Sequence, residues 1–251
     1  MAVSRRKMLG TVGLGALVAA CSGDPAATTS TTVPTTEGSS ATVSPQSVGL
    51  APGDFPGAAS CSLTPAETEG PYYFDVDAIR SDIREDRPGA SLRLGMLVRD
   101  ASCTPVANAV VDIWHCDAGG VYSGFESASN GGPGGGRSDE ETYLRGAQVT
   151  NADGIVEFRT VYPGWYRGRT VHIHFKVHID KATALTSQLY FDEQVTDAVY
   201  AAAPYRDRGD RDMRNTDDSI FADELVLTTT AAGDGQLGLM TVNVNSTASA
   251  P

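Results

Sequence analysis

The sequence predicts an all-β fold, an antiparallel β-sandwich with long loops, and three observations support this prediction. Short apolar stretches recur along residues 92–244, separated by turn residues, at the spacing of about 8–12 residues that is typical of sandwiches. Residues 171–179 place an apolar side chain at every second position, which is the pattern of a strand with one buried face. Two apolar stretches, 92–98 and 106–114, flank the polar sequence DASCTP and predict a β-hairpin.

Further strands and one helix complete the predicted domain. The other apolar stretches lie at 147–150, 154–159, 185–191, 225–230 and 237–244, and residues 195–206 predict a helix. The sequence SNGGPGGGRSD at 129–139 is rich in glycine and predicts a flexible surface loop, with a mobile lid over the functional site as the alternative.

The N-terminal residues 1–21 carry the features of an export signal. Arg5, Arg6 and a short apolar run resemble a twin-arginine signal, and the sequence VAAC ending at Cys21 resembles a lipobox, whose cysteine is lipidated. The alternative is an ordinary secretory signal with a cysteine at this position by chance. We expect a protein that is exported by the twin-arginine route and lipid-anchored at the outer face of the cell membrane, or secreted.

Composition divides the remainder of the chain into a linker, a domain and a tail. Residues 22–57 are rich in Ser, Thr and Pro and predict a disordered linker, because such a sequence cannot bury enough apolar surface to fold. The domain is predicted at 58–244 and a flexible tail at 245–251. The net charge of −12 argues against binding of nucleic acid and of anionic lipid headgroups, so we expect membrane contact only through the lipid anchor.

Two histidines on one predicted strand form a candidate metal site. His172 and His174 point to the same face of an extended strand, about 6–7 Å apart, so both can bind one ion. His178 lies about 13 Å further along and is not expected to share it. The imidazoles alone favour no particular metal. Tyr122 and Tyr166 narrow the choice, because a phenol becomes a ligand only when the cation is acidic enough to remove its proton, and ferric iron does this well.

Four sequence motifs, in order, resemble the intradiol ring-cleavage dioxygenases, the family of catechol 1,2- and protocatechuate 3,4-dioxygenases. These motifs are TEGPYYFD (68–75), VDIWHCDAGGVYSGF (111–125), the run from TYLRGAQV to HIHFKV (142–177) and LTSQLYF (185–191).

The resemblance implies a site of defined chemistry. It implies a non-haem Fe(III) cofactor bound by Tyr122, Tyr166, His172 and His174. It further implies that Tyr166 is displaced by substrate and takes up a proton, that Arg169 stabilises the developing anion, that Gln188 orients the substrate, and that Tyr72 lines the pocket. The implied reaction cleaves a small aromatic diol with O2 to a cis,cis-muconate-type product. The sequence does not indicate which catechol derivative is used or what the oligomeric state is.

Three cysteines remain after Cys21. Outside the cytosol one disulfide is expected, and we predict that Cys61 pairs with either Cys103 or Cys116. A bond between Cys103 and Cys116 is disfavoured because the two lie near opposite ends of the predicted hairpin.

Three alternative functions remain open from the sequence. A cupin-type enzyme also uses His-x-His, but it needs a glutamate three or four residues later, where this chain has Val177 and His178. An Fe(II) oxygenase needs a carboxylate beside two histidines, and Asp180 is too far along the strand. The third is a non-catalytic sandwich whose metal site is vestigial. Trp114 and His115 are interpreted as packing and structural residues.

Overall fold

The computed structural model describes residues 31–34, 40–43, 49–57, 60–76, 78–129, 136–180 and 182–246. The expected signal sequence with Cys21, and residues 130–135 of the glycine-rich loop, lie outside the described residues. Among the residues that are described, no helix has the length and apolar character needed to cross a membrane.

The described chain is mostly β-strand. The strands are β1 (Thr31–Pro34), β2 (Ser40–Val43), β3 (Ser91–Asp100), β4 (Val110–Trp114), β5 (Arg145–Val149), β6 (Ile155–Val161), β7 (His172–Ile179), β8 (Ala182–Tyr190), β9 (Thr228–Ala232) and β10 (Gly235–Val244). The helices are α1 (Glu126–Ser129) and α2 (Glu193–Tyr200), with short 3-10 turns at Pro52–Asp54, Tyr205–Arg208, Asn215–Asp217 and Asp223–Leu225. The helix predicted over 195–206 is therefore α2, which begins two residues earlier and is followed by a separate turn.

Two four-stranded sheets pack face to face. Sheet I has the order β5-β4-β7-β8 with all pairs antiparallel, and sheet II has the order β6-β3-β10-β9. In sheet II the pair β3–β10 is parallel and the other two pairs are antiparallel. The predicted all-β sandwich is confirmed, with this one parallel pair. A separate two-stranded ladder joins β1 to β2.

Along the strands of sheet I, side chains point alternately to the core between the sheets and to the outer face that carries the predicted site. On β7, Ile173, Phe175 and Val177 are fully buried and belong to the main apolar core between the sheets. His172 and His174 point to the opposite, outer face. This face is not open to water, because both histidines are 2% exposed.

The predicted β3–β4 hairpin is wrong. The polar turn does form, since Val106 N–H donates to Val98 O (3.0 Å) and Asp100 N–H to Thr104 O (2.9 Å). Both edges of β3 are then occupied by β6 and β10, so β4 crosses to the other sheet and pairs with β5 and β7. There its apolar residues Val111 and Ile113 cover the same core from the opposite side.

Residues 49–57, which the sequence analysis assigned to the linker, pack on the outer face of sheet II. Phe55 is 4% exposed and forms a small apolar cluster with Leu97, Ile155 and Leu239, against which Leu50 also packs. The packed structure therefore extends to the N-terminal side of residue 58.

A disulfide joins Cys61 to Cys103, one of the two predicted pairings, and Cys116 is free and buried. The bond fixes the segment after residue 60 to the turn between β3 and β4. Arg99 adds to this connection, because its guanidinium donates to the carbonyl of Ser60 (2.7 Å) and to the Asn243 side chain (3.1 Å).

Candidate metal centre

Four predicted ligand side chains meet at the outer face of sheet I. His172 and His174 come from β7, Tyr122 from the loop after β4 and Tyr166 from the loop after β6. The Nε2 atom of His172 lies 3.0 Å from the Tyr166 hydroxyl, 3.5 Å from the Tyr122 hydroxyl and 3.1 Å from Nε2 of His174. Residues 50 positions apart in the sequence thus place four donor atoms around one point.

Hydrogen bonding fixes the lone pair of one imidazole. His172 Nδ1 lies 2.6 Å from the Thr170 carbonyl, which can only accept, so Nδ1 carries the proton and Nε2 presents a lone pair to the other donors. Thr170 is itself held, because its N–H donates to Asp218 (3.0 Å) and its hydroxyl contacts Asn215 (2.6 Å). Histidine ligands of metals commonly have such a partner on the nitrogen that does not bind the metal.

Burial keeps the donors of the metal-free site uncharged. It lowers the pKa of His172 to about 3, and it lowers the pKa of His174 well below the usual range. It also raises the pKa of Tyr122 and of Tyr166, although Arg169 partly opposes the shift at Tyr166. Two neutral imidazoles and two phenols crowd their nitrogen and oxygen atoms into one dry pocket, an arrangement that a cation would stabilise.

The spacing of the four donors fits a first-row metal ion. Donors bound at about 2.0–2.1 Å stand about 2.9 Å apart at right angles and about 3.5 Å apart at 120°. The observed separations from His172 Nε2, between 3.0 and 3.5 Å, fall within this range. Among the described residues, no group of three or more His, Cys, Asp or Glu side chains could hold a metal ion, so binding at this site depends on the tyrosines.

The two predicted polar helpers, Arg169 and Gln188, contact each other beside the donors. The Arg169 guanidinium donates to the Gln188 side-chain oxygen (2.7 Å) and to Asp218 Oδ2 (2.8 Å), and the Gln188 amide donates to Thr68 O (3.0 Å). Burial opposes ionisation of Asp218. Hydrogen bonds from the backbone of Ile220 and Thr170, together with Arg169, outweigh burial and hold the Asp218 pKa below its usual value.

Residues 67–74, which we call the cover segment, lie over the donors. Tyr72, the predicted pocket residue, has its ring centroid 4.8 Å from that of Tyr122 and 6.3 Å from that of Tyr166. Gly70 lies against His174, and a Cβ at this position would be 3.2 Å from the imidazole Cε1. The cover segment therefore closes one side of the site.

Comparisons with known proteins agree with this architecture. The sequence model of the family described as Dioxygenase matches residues 68–235. A solved structure described as an intradiol ring-cleavage dioxygenase from Tetranychus urticae is 34% identical, with a TM-score of 0.71, and the match covers 75% of this chain and 97% of that one.

The chain belongs to the intradiol ring-cleavage dioxygenase family.

Two curated relatives of this chain match over a shorter stretch. A chlorocatechol 1,2-dioxygenase from Rhodococcus opacus is 32% identical over 51% of this chain and 56% of its own length. Catechol 1,2-dioxygenase 1 from Acinetobacter lwoffii is 34% identical over 50% of this chain and 45% of its own length. The matches thus span about half the length of these relatives.

Three residues of the candidate site were not found from the sequence. Asp218 orients both Arg169 and Thr170 from a distant turn, and no local pattern marks it. Trp114 was interpreted as a packing residue, but its indole stacks on the His174 ring with centroids 5.0 Å apart and planes 7° apart. Arg145, the strand partner of Trp114, is 1% exposed and lies beside Tyr122. His115 is structural, as interpreted, and contacts the Cys116 carbonyl and the Thr160 hydroxyl.

Proposed function

We propose that the protein is a non-haem Fe(III)-dependent intradiol dioxygenase that cleaves catechol-type diols with O2 to cis,cis-muconate-type products. The observation that supports this most directly is the meeting of two phenol oxygens and two imidazole nitrogens at one buried point. Tyr122, Tyr166, His172 and His174 would hold the iron. Two phenolates and one hydroxide would balance its three positive charges, which favours a buried centre. When bound, ferric iron would supply a Lewis acid that binds both diol oxygens and activates the ring towards O2.

The burial of the two tyrosines suggests different roles for them. Tyr122 is 0% exposed and packed among other rings, whereas Tyr166 is partly exposed in the loop before β7. A ligand that substrate displaces must be able to move. We therefore assign the displaced phenolate, which takes a proton from a substrate hydroxyl, to Tyr166. Tyr122 would remain bound as a fixed ligand.

Arg169 and Gln188 would act on the substrate rather than on the metal. Asp218 and Gln188 hold the Arg169 guanidinium in one orientation, and this preorganised cation can stabilise negative charge that develops on the ring oxygens. Gln188, anchored through its amide to the cover segment, would orient the diol. Tyr72 would line the aromatic pocket.

The charges beside Arg169 favour an uncarboxylated diol. Asp218 already pairs with this arginine. Glu67 is also close, and burial together with Asp218 raises its pKa while Arg169 opposes the shift. Because Arg169 is already paired with Asp218, it offers a ring carboxylate little free positive charge, so we propose catechol-type substrates, including hydroxylated ones, over carboxylated ones.

The rival metal chemistries have less support. The site has no carboxylate as a third ligand among the described residues, which weighs against a two-histidine, one-carboxylate oxygenase. At the position where a cupin needs its glutamate, the His178 ring contacts the Thr183 hydroxyl instead.

A visible spectrum of the pure iron-loaded protein, before and after anaerobic addition of catechol, tests the proposal. We expect a red colour from tyrosinate-to-iron charge transfer, a shift of the band when catechol binds, and consumption of one O2 per muconate when air is admitted. A colourless ferrous protein would favour the two-histidine oxygenase. A coloured protein that binds catechol without consuming O2 would indicate a non-catalytic binding module.

A further inference from the structure

Arg145 is a buried cation with an incomplete set of partners. It begins β5, is 1% exposed, and donates from Nε to Ser123 Oγ (2.9 Å) and from one terminal nitrogen to Ser123 O (2.8 Å). The other terminal nitrogen, Nη1, is buried and has no hydrogen-bond partner. Among the described residues the guanidinium makes no ion pair.

Aromatic rings surround this guanidinium. Its central carbon lies 4.2 Å from the centroid of Phe74, 5.7 Å from that of Phe125 and 6.0 Å from that of Tyr122. Contact with ring faces offsets only part of the desolvation of a cation. A fully buried arginine is therefore expected to have an anionic neighbour in the functional state of the protein.

The geometry points to that neighbour: we propose that Arg145 is the positioning residue and counter-charge of Tyr122 when Tyr122 is a metal-bound phenolate. This inference rests on the proposed function, because it takes Tyr122 as a ligand. Two observations connect the residues independently. The guanidinium faces the Tyr122 ring, and its two hydrogen bonds end on Ser123, the next residue in the chain. Arg145 thus fixes the backbone beside the ligand and places a positive charge next to its ring.

The charge should favour the loaded site and disfavour the metal-free one. Without metal, Tyr122 is a neutral phenol, and burial raises the pKa of the nearby Asp112 to about 7, so the arginine lacks a full counter-charge. With metal, the two charges attract each other in a medium of low dielectric constant. Removing the charge should therefore weaken iron binding without a matching loss of stability in the metal-free protein.

The test compares R145M with the wild type in the iron-free and ferric full-length chains. For R145M we expect iron affinity, measured by competition with a chelator, to fall by about tenfold or more. The melting temperature of the iron-free protein should be unchanged or raised. The charge-transfer band should move to longer wavelength, because the phenolate loses a stabilising cation.

Three further variants separate charge from structure. S123A removes one hydrogen-bond partner and keeps the charge, so its band should stay at the wild-type position. R145Q is uncharged and can still donate to Ser123, and it repeats the measurement should R145M fail to fold. R211M is the matched control, because Arg211 is buried but paired with Glu193 and Asp197, so its loss should lower both melting temperatures.

The outcomes also distinguish this inference from the proposed function. If R145M and R145Q both keep wild-type iron affinity and an unmoved band, the role proposed for Arg145 is wrong and the dioxygenase proposal stands. The same conclusion follows if R145M lowers the melting temperatures of the iron-free and the ferric protein as R211M does. A wild-type protein that shows no tyrosinate colour with iron would instead overturn the proposed function.

Discussion

The outer faces of the two sheets have opposite characters, although an extended N-terminal segment covers each of them. On sheet II the covering residues are apolar, with Phe55 and Leu50 resting on Leu97, Ile155 and Leu239. On sheet I the cover segment lies over His174, Tyr122, Trp114 and Arg145, which are just as buried. The same architecture thus gives one region that can only add stability and another that gathers polar groups at a cost in stability.

The difference shows that the residues of the candidate site and the residues of the core lie on opposite sides of the same strands. Three strands of sheet I, β4, β7 and β8, use one side for the common core and the other side for the site, so a substitution on the site side leaves the core intact. Substitutions on the outer face of sheet I should therefore change metal binding and catalysis more than stability. Substitutions on the outer face of sheet II should do the reverse.

The largest effect is expected for H174A. Removal of one of four donors from a buried site should abolish stable iron binding and with it turnover, because a cavity replaces a ligand and no described carboxylate can substitute. Iron per chain and the visible spectrum measure this directly.

The matched control for that variant is H178A. His178 lies four residues further along β7 on the same face, but it is partly exposed and its ring contacts the Thr183 hydroxyl (3.1 Å). It should keep full iron and full activity. Equal losses in both variants would show that the strand, and not the ligand, is what the substitutions disturb.

Y166F should have the next largest effect. It keeps the ring packing against His172 but removes the oxygen that would leave the metal and take a proton, so iron should stay bound while kcat falls by about a hundredfold or more. The charge-transfer band should also change, since one of two phenolates is lost. Unaltered kcat with an altered band would remove Tyr166 from the proton transfer but keep it as a ligand.

D218N should have a smaller effect on the same site. Asp218 is not one of the proposed metal ligands. It holds Arg169 and Thr170, and a neutral amide should lower kcat/KM by about tenfold to a hundredfold, as is common for residues that orient ligands. D212N is the control, because Asp212 accepts a hydrogen bond from Gly168 in the same loop but is not paired with Arg169. A wild-type kcat/KM in D218N would mean that Gln188 alone orients the guanidinium.

The sequence predicted those parts of the molecule that local patterns specify. The alternation of β7 and the residue types at 122, 166, 172 and 174 are visible within short motifs, so the strand and the meeting of these four side chains could be predicted, while their role as iron ligands stays a prediction. Asp218 could not, because it reaches Thr170 from 48 residues away and an aspartate in a turn has no distinguishing pattern. The roles of Trp114 and Arg145 depend on cross-strand pairing, which the sequence does not specify.

The β3–β4 error has a related physical cause. A polar turn between two apolar stretches specifies where the chain reverses, but not which sheet the second strand joins. That choice depends on which edges of β3 are already occupied, here by β6 and β10 from later in the chain. The sequence analysis predicted that Cys61 pairs with either Cys103 or Cys116. In the structure its partner is Cys103, which lies in that turn.

F55A tests whether the apolar cluster on the outer face of sheet II contributes to stability alone. Loss of a buried phenylalanine from the small cluster on sheet II should reduce the free energy of unfolding by about 2–4 kcal/mol, towards the low end of core values because the cluster is small and near the surface. Iron content and the charge-transfer band should not change. Chemical denaturation measures the free energy of unfolding, and a visible spectrum of the iron-loaded variant measures the band. A shifted band would mean that the two faces are coupled through the core.

The last expected effect is a pH dependence of stability that arises at sheet I, through Asp112. This side chain is buried next to the site, where it accepts a hydrogen bond from Tyr73 and faces Lys176, Asp75 and Arg145, and burial raises its pKa to about 7. In the unfolded chain an aspartate has a pKa of about 3.9. Between these values the folded state holds a proton that the unfolded state has lost, so stability falls as the pH rises from about 4 to about 7 and is constant above that range.

D112N has no ionisable group at this position and should lack this pH-dependent contribution to stability. Its stability relative to the wild type should therefore improve by at most about 1.4 kcal/mol per pH unit across that window, while any loss from the altered Tyr73 contact is the same at every pH. Unfolding of both iron-free proteins by urea at several pH values measures the difference between their free energies of unfolding. Titrations that occur in both proteins cancel in this difference. A pH-independent difference would mean that Asp112 ionises normally in the folded state, with Lys176 and Arg145 balancing its charge. In that case Arg145 would already have an anion in the metal-free protein, and the contrast between the two faces would be one of packing rather than of charge.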